Sequence, residues 1–392
     1  MKMDQYLKWK ADPSKGEVFT PIGLVKEMLD KIPEEVWRNP DSVFLDPCMG
    51  KGTFLIEIVD RLMYIYGYTE NDAKSRVYGY DIRVKYINYL QRRGFTNVRH
   101  KDFLSEIIKM KFDVIIGNPP YQDSNKTKGK NSSLWTKFIL LSEKLLNSGG
   151  YLSFITPISW FAPSESQKNE LKKVFNDNQL LVVNTECKKY FTVGSTFAYF
   201  LIKRTEKNDN GTLINDKFYH SIQLPFLPKV LTETSLSITK KIFFNDQPKL
   251  KFSSSLRNDE LSNEGEYQVW YGNSFKRSTK LGGNYSLNKV IVNKPGYLNP
   301  RYDEGQFNTS ANNYWVEVNS EVEATNIINF MKSKIGGILI ENLFKYSGFN
   351  SLGILKMLPL SIKNNSWQND NDFQEVFGMS EFEIQYIKNG FV

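Results

Sequence analysis

The chain holds 392 residues, 40% hydrophobic and 24% charged, enough to bury the cores of two domains. A net charge of +8 and 14% aromatic residues suit a nucleic-acid partner, because lysine and arginine neutralise phosphates and rings stack on bases; a merely basic soluble protein fits the same figures. No run approaches the roughly 20 apolar residues of a membrane span, and two cysteines with two histidines leave neither a disulfide framework nor a conventional zinc site.

Residues 42–45 read as a short buried strand ending at Asp46-Pro47, followed by Gly50, Gly52 and a helical pattern from Thr53 to about Tyr66. A second strand over 77–80 ends at Asp81, and 84–92 reads as a helix. A third strand over 97–100 stops before Asp102; a fourth over 112–117, nearly all apolar, stops at Asn118-Pro119-Pro120-Tyr121. Residues 135–147 are helical and close at Gly149-Gly150, then 151–156 form a fifth strand, 164–175 a helix, and 180–185 and 197–203 two more strands. Asn210-Gly211 is a hairpin-type turn.

Apolar strands alternating with helices indicate an α/β fold with a parallel sheet covered on both faces, in which ligands bind beyond the carboxyl ends of the strands. Asp46, Asp81, Asp102 and Asn118 all fall at that edge. Beyond Pro225 and Pro228 the alternation stops and the sequence turns aromatic and turn-rich. A domain boundary is therefore placed near residue 222, giving 1–222 and 223–392. Residues 123–133 and 364–372 are the segments closest to disorder.

Asp46-Pro47-Cys48-Met49-Gly50-Lys51-Gly52-Thr53 joins a strand to a helix. Gly50 and Gly52 permit a tight turn and a close ligand approach, and the helix start offers N–H groups to an anion. The spacing is not that of a phosphate-binding P-loop. A carboxylate at the strand end suits a ligand bearing an ammonium or hydroxyls, such as the amino-acid end of S-adenosylmethionine; a plain tight turn is the alternative. Asp81 stands where nucleoside-binding sheets hold a carboxylate for two ribose hydroxyls, or it caps a helix. Asp102 would accept from an adenine amine with the Phe103 ring packed on the base, or it too is a cap.

Asn118-Pro119-Pro120-Tyr121 is the specific signal. Two prolines end the strand ladder and stiffen the backbone. The Asn118 amide oxygen and the Pro119 carbonyl are thus aimed at one point. An amino group conjugated to a heteroaromatic ring is a poor nucleophile. Two acceptors taking both of its N–H bonds would localise its lone pair, while Tyr121 stacks on the ring. No nucleophilic side chain is needed when the methyl donor is a sulfonium.

With these motifs in this order, the chain resembles the γ-class N6-adenine DNA methyltransferases of restriction systems. Gly16-Glu17-Val18-Phe19-Thr20-Pro21 is similar to their most N-terminal motif, whose Thr, here Thr20, contacts the methionine part of the cofactor. Residues 46–54 resemble the first cofactor motif, Tyr78-Gly79-Tyr80-Asp81 the ribose motif, Lys101-Asp102-Phe103-Leu104 the adenine motif, and 117–121 the catalytic one. Phe191, ahead of the strand at 197–203, falls where the family places a second aromatic facing the flipped base, with Tyr190 as the alternative. The resemblance implies a Rossmann-like class I methyltransferase domain followed by an α+β target-recognition domain. It implies S-adenosylmethionine as cofactor, double-stranded DNA as substrate, and a cognate restriction endonuclease as a candidate partner. Lys345-Tyr346-Ser347-Gly348-Phe349, residues 356–359 and residues 377–380 are similar to recognition domains of this group. The chain begins almost at the first motif, so a fused nuclease is not expected. Pro47-Cys48 looks like the nucleophile of cytosine-C5 enzymes but lies in the cofactor turn, so Cys48 reads as a small buried residue.

A duplex base must be swung out to reach such a site, at roughly a few kcal/mol. Tyr121 and Phe191 would offset that by stacking. Lys126, Lys128 and Lys130, interleaved with Gly and Ser, suit a loop that meets phosphates, or a solvated surface loop. Residues 275–302 carry Lys276, Arg277, Lys280, Lys289, Lys294 and Arg301 among Phe275, Tyr285, Tyr297 and Tyr302, with no acid. They are the best recognition candidate. The N-terminus begins no apolar signal core, so a cytoplasmic location without membrane contact or metal is expected. Two rival readings stand: a methyltransferase of this fold acting on RNA or a protein glutamine, and a non-catalytic DNA-specificity protein.

Overall fold

The apolar runs of the first half assemble into one sheet. The computed structural model describes residues 18–121, 133–163, 168–191, 197–205, 211–219, 226–346 and 349–391. The chain divides into two compact units, Met1–Pro157 with Ser166–Ile222 and Ile158–Glu165 with Gln223–Val392. Residues 158–165, placed in the first region by the sequence pattern, thus belong to the second unit.

In the first unit, β1 (Phe44–Asp46), β2 (Val77–Asp81), β3 (Val98–His100), β4 (Phe112–Gly117) and β5 (Leu146–Pro157) are parallel, in the order β3-β2-β1-β4-β5. The sheet continues with β6 (Gln179–Asn184), β7 (Phe197–Lys203), β8 (Thr212–Ile214) and β9 (Lys217–Tyr219), in the spatial order β7-β6-β8-β9. Helices α1 (Ile22–Leu29), α2 (Glu34–Arg38), α3 (Thr53–Tyr64), α4 (Glu70–Ser75), α5 (Val84–Arg92), α6 (Leu134–Leu145) and α7 (Lys168–Asp177) accompany it. The amphipathic spacing of α3 explains its docking: Phe54, Leu55, Ile58, Val59 and Leu62 recur on one face and are all buried. β4 is buried over nearly its whole length, as a central strand with helices on both faces requires.

One expectation is corrected here. The sheet is not wholly parallel: β7 lies between β5 and β6 and runs antiparallel to both. Residues 185–196 are too few for the helical crossover that a parallel pairing needs, so the chain turns back on itself. The hairpin turn that the structure describes is Asn215-Asp216, joining β8 to β9; Gly211 leads into β8, and Asn210 lies outside the described residues. Asn215 and Asp216 have positive φ, 47° and 63°, which Asn and Asp tolerate better than other side chains.

The second unit is α+β. β10 (Tyr267–Tyr271), β11 (Ser274–Ser278) and β14 (Asn308–Thr309) form one small sheet; β12 (Asn288–Asn293), β13 (Arg301–Glu304) and β15 (Asn313–Glu317) form another. Helices α8 (Glu233–Phe243), α9 (Glu321–Lys332), α10 (Lys334–Ile338), α11 (Leu352–Met357), α12 (Asn371–Phe377) and α13 (Glu381–Lys388) share their core. The stretch 364–372 is ordered, against the expectation from its polar composition. Trp367 anchors it, 4% exposed, with its indole N–H on the Ile362 carbonyl at 2.7 Å and its ring stacked on Phe377. Among the described residues no helix is long and apolar enough to cross a membrane.

Candidate active site

Because β1, β2, β3 and β4 run parallel, Asp46, Asp81, Asp102 and Asn118 emerge at one edge of the sheet. The turn after β1 binds this edge together. Asp46 accepts the Cys48 backbone N–H at 3.0 Å, the Met49 N–H bonds the Tyr80 carbonyl at 3.0 Å, and the Gly50 N–H bonds Asp81 Oδ2 at 2.9 Å. Asp81 Oδ1 accepts the Arg83 N–H at 2.8 Å. Both Asp81 oxygens are thus aligned by backbone donors, and Arg83 Nη1 lies 3.9 Å from Oδ1.

Gly50 (φ 52°) takes the left-handed conformation that favours glycine, and no described atom lies within 4 Å of where a Cβ would stand. Gly52 (φ 80°) begins α3 without a side-chain cap, and a Cβ there would strike Leu90 at 2.6 Å. Phe19-Thr20 packs beside this turn. Lys51 Nζ lies 4.6 Å from the Phe19 ring centroid, the same ring meets Tyr86 edge-on, and Thr20 is buried.

Gly117 sets the distance between the turn and the catalytic candidate. A Cβ on it would fall 2.8 Å from Asp46 Oδ1 and 3.5 Å from Cys48 Sγ, so only glycine lets the end of β4 approach Asp46. The Asn118 backbone N–H points to the Cys48 sulfur. No described residue hydrogen-bonds the half-buried Asn118 side-chain amide, while Pro119 is buried behind it. Asp46 is 1% exposed, and desolvation, reinforced by Asp81, pushes its carboxyl up to about 7 against the donation from Cys48. Burial of this kind favours the neutral acid unless a cation compensates the charge. Cys48 is half-buried rather than fully buried, correcting the sequence reading, and desolvation beside Asp46 and Asp81 holds its thiol well above the ordinary value. It is a poor nucleophile.

Tyr121 is half-buried, its hydroxyl held protonated by desolvation with Cys187 nearby. Cys187 begins the turn of 3-10 helix (Glu186–Tyr190) that leads into Phe191, so this turn links the two aromatic candidates. The Phe191 ring is half-buried and meets Phe197 edge-on at 4.8 Å. Tyr190 is committed elsewhere, its hydroxyl donating to Glu27 at 3.0 Å. Glu27 also accepts from Tyr199 at 3.1 Å and Asn184 at 3.2 Å, tying α1 to β6, β7 and the 3-10 turn. Sequence reasoning missed Glu27, an acid on an amphipathic helix with no motif to mark it.

The structure does not bring every candidate to the edge in the expected way. Phe103 is 2% exposed, its ring between Tyr80 and Phe138, so it packs in the interior instead of offering a face to a base. Asp102 is exposed at the edge and caps its own turn through the Leu104 N–H at 3.0 Å. In the second unit, Lys289 is fully buried in an ion pair with Asp303, and so is no phosphate ligand. Lys280 finds an acid outside its own stretch, Glu260 at 2.7 Å. Arg301 turns inward, bonding Asn293 Oδ1 at 2.6 Å with its guanidinium 4.2 Å from the Trp270 ring centroid. Arg277 is exposed, Lys276 and Lys294 half-exposed. Lys126, Lys128 and Lys130 lie outside the described residues. Those residues hold no cluster suited to a metal ion.

A match to the Eco57I restriction-modification methylase family spans residues 53–191. Residues 53–191 are thus similar to a restriction-modification methylase domain. The matched span of that methylase domain contains Asp81, Asp102, Asn118, Tyr121 and Phe191, while Thr20, Asp46 and Gly50 precede it. The Type II methyltransferase M.VspI of Vibrio sp. (strain 343) is 32% identical over 166 residues, 37% of this chain and 38% of that protein. An uncharacterized adenine-specific methylase of Mycoplasma pneumoniae is 23% identical over 354 residues, 62% of this chain and 83% of that protein. A nuclease-deletion mutant of the Type ISP restriction-modification enzyme LlaGI, solved in complex with a DNA substrate mimic, has the same fold. It superposes with a TM-score of 0.51 at 10% identity, over 95% of this chain and 46% of that one. The chain thus spans about two fifths of M.VspI and well under two thirds of LlaGI.

Proposed function

We propose that the chain transfers a methyl group from S-adenosylmethionine to N6 of an adenine swung out of a specific double-stranded DNA sequence. The observation that carries this reading is the Asn118 amide. It is unpartnered among the described residues, backed by Pro119, and set by Gly117 against the Asp46 turn. The donor set around it suits the cofactor. Asp46, buried with no cation beside it among the described residues, fits the ammonium of the methionine end beside Thr20. Asp81, aligned by the Gly50 and Arg83 N–H groups, fits the ribose hydroxyls. Asp102 remains the acceptor for the adenine amine, without help from the Phe103 ring.

The cofactor, when bound, supplies an activated sulfonium methyl. The protein's part is positioning and electrostatics. Asn118 Oδ1 and the Pro119 carbonyl accept the two N–H bonds of the target amine, making its lone pair available, and Tyr121 with Phe191 sandwiches the extruded ring. Relatives named as methyltransferases and an adenine-specific methylase support the chemistry, and LlaGI in complex with a DNA mimic supports the substrate. A cognate endonuclease and a cytoplasmic location go with this reading.

Asn118→Ala tests it. Turnover on DNA should fall at least about 100-fold, while calorimetric affinity for S-adenosylmethionine stays within about twofold. Comparable methylation by the variant would remove the amide from the reaction.

A further inference from the structure

Three separate stretches of the second unit are locked together at one place, and each presents an aromatic ring to solvent. The first is the tip of the β10–β11 hairpin at Gly272-Asn273. The second is the loop between β12 and β13, closed on itself by the Asn293 N–H to the Leu298 carbonyl at 2.6 Å. The third is the chain at Phe349-Asn350, which pairs with that loop through a Pro295–Phe349 bridge and the Asn350 N–H to the Lys294 carbonyl at 2.8 Å.

Asparagine side chains make the joints. Asn273 Oδ1 receives Asn293 Nδ2 at 2.7 Å, Asn299 Nδ2 at 2.8 Å and Arg301 Nη2 at 3.2 Å. Buried Asn350 donates to the Asn293 carbonyl at 2.9 Å and the Gly296 carbonyl at 3.2 Å. Buried Asn313 links Gly272 to Asn293. Such a lattice fixes loops that would otherwise move.

What it fixes is apolar and cationic. Tyr297 is 82% exposed, Phe349 58% and Phe275 49%. Phe275 stands on Trp270 at 4.0 Å, and Trp270 carries Arg301 on its ring. Residues 271–277, 293–302 and 343–350 contain Lys276, Arg277, Lys294, Arg301 and Lys345 and no aspartate or glutamate. Lys276 rests on Tyr271, and Lys345 lies 5.8 Å from the Tyr297 ring centroid. Exposed rings on a rigid frame are a cost to a free protein and an advantage to a binder, because the ordering is complete before the partner arrives.

We infer that this asparagine-locked edge is the sequence-reading surface for duplex DNA, with Tyr297 and Phe349 against the bases, Lys276, Arg277 and Lys294 on phosphates, and Asn273 as the positioning residue that holds the loops in register. The choice of occupant follows from charge: Lys345 is paired with Glu341 at 3.0 Å and Arg301 turns inward, while Lys276, Arg277 and Lys294 stand among the exposed rings and complement a polyanion with stackable bases. Arg301 and Lys280, earlier candidates for DNA contact, serve the frame instead. The inference rests on the DNA-methylating reading and specifies where its substrate is discriminated.

The test uses the full chain and two duplexes: one carrying the site that the wild type methylates, mapped by base-modification sequencing of DNA from expressing cells, and one with that site scrambled. Tyr297→Ala with Phe349→Ala removes two exposed rings, so the melting temperature should hold. Affinity for the site duplex should fall about tenfold or more, toward that of the scrambled duplex, with S-adenosylmethionine affinity unchanged. Asn273→Ala should produce the same loss of discrimination, and Asn273→Asp, which keeps the acceptor oxygen, should retain more of it. Lys276→Gln with Lys294→Gln should weaken both duplexes alike and lower the salt slope by about one to two. An undiminished preference for the site in the double aromatic variant overturns the surface while leaving methylation intact. So does a loss confined to binding of another protein. A wild type that methylates no DNA overturns the parent reading as well.

Discussion

Asp46 in the first unit and Asp303 in the second are both nearly inaccessible, 1% and 5% exposed, and they are treated in opposite ways. Asp303 has its cation built in: Lys289 is fully buried beside it, and Gln306 adds a backbone N–H at 3.1 Å. Among the described residues Asp46 has only Cys48 as a donor, and burial drives its carboxyl up to about 7. A closed pair is architecture; an acid with no cation beside it among the described residues, at the end of a strand, is the group proposed here to bind.

The strongest way to break this contrast is to open the closed pair. Lys289→Met should leave Asp303 as an uncompensated buried charge and cost about 3–5 kcal/mol in urea unfolding of the full chain. Adding Asp303→Leu should recover most of it. A small effect from the single change would show that Asp303 is served as poorly as Asp46.

The next test reads the open acid directly. With its folded pKa raised, Asp46 binds its proton more tightly in the folded chain. Its contribution to stability is therefore full below about pH 4, declines as pH rises, and is gone above about pH 7. Over that window wild-type stability should lose as much as about 4 kcal/mol from this group, and Asp46→Asn should flatten the profile. If the ammonium of S-adenosylmethionine sits on Asp46, its binding near pH 6 should release a proton, visible as a dependence of the calorimetric heat on the buffer. Gly117→Ala should then weaken cofactor binding about tenfold, because its Cβ would crowd Asp46 Oδ1. Smallest of all, Cys48→Ala should change turnover less than about threefold, as befits a thiol held far above its ordinary pKa.

Legibility in the sequence followed the same division. Periodic or strictly apolar runs with polar stops were readable in the first unit: the helix at 84–92 and the strands at 112–117 and 197–203 fall where the pattern places them, because periodicity and chain-breaking residues act locally. The reversal of β7 was not, since strand direction depends on the length of a connection and on which edge is vacant. Phe103 was misjudged for a related reason: a motif gives the neighbour in sequence, while Tyr80 and Phe138, which enclose it, come from β2 and α6. In the second unit, lysine and arginine looked alike until the fold paired Lys289 with Asp303 and Lys280 with Glu260, acids far off in sequence. Trp367 ordered a stretch whose polar neighbours suggested none.

The identity of the methylated atom tests the central claim most directly. Purified protein is incubated with S-adenosylmethionine labelled in its methyl group and with duplex DNA, and the DNA is digested to nucleosides. The account predicts label in N6-methyldeoxyadenosine for the wild type and a loss of at least about 100-fold for Asn118→Ala. Label on cytosine, label only in added RNA or protein, or an undiminished signal from the variant would contradict it.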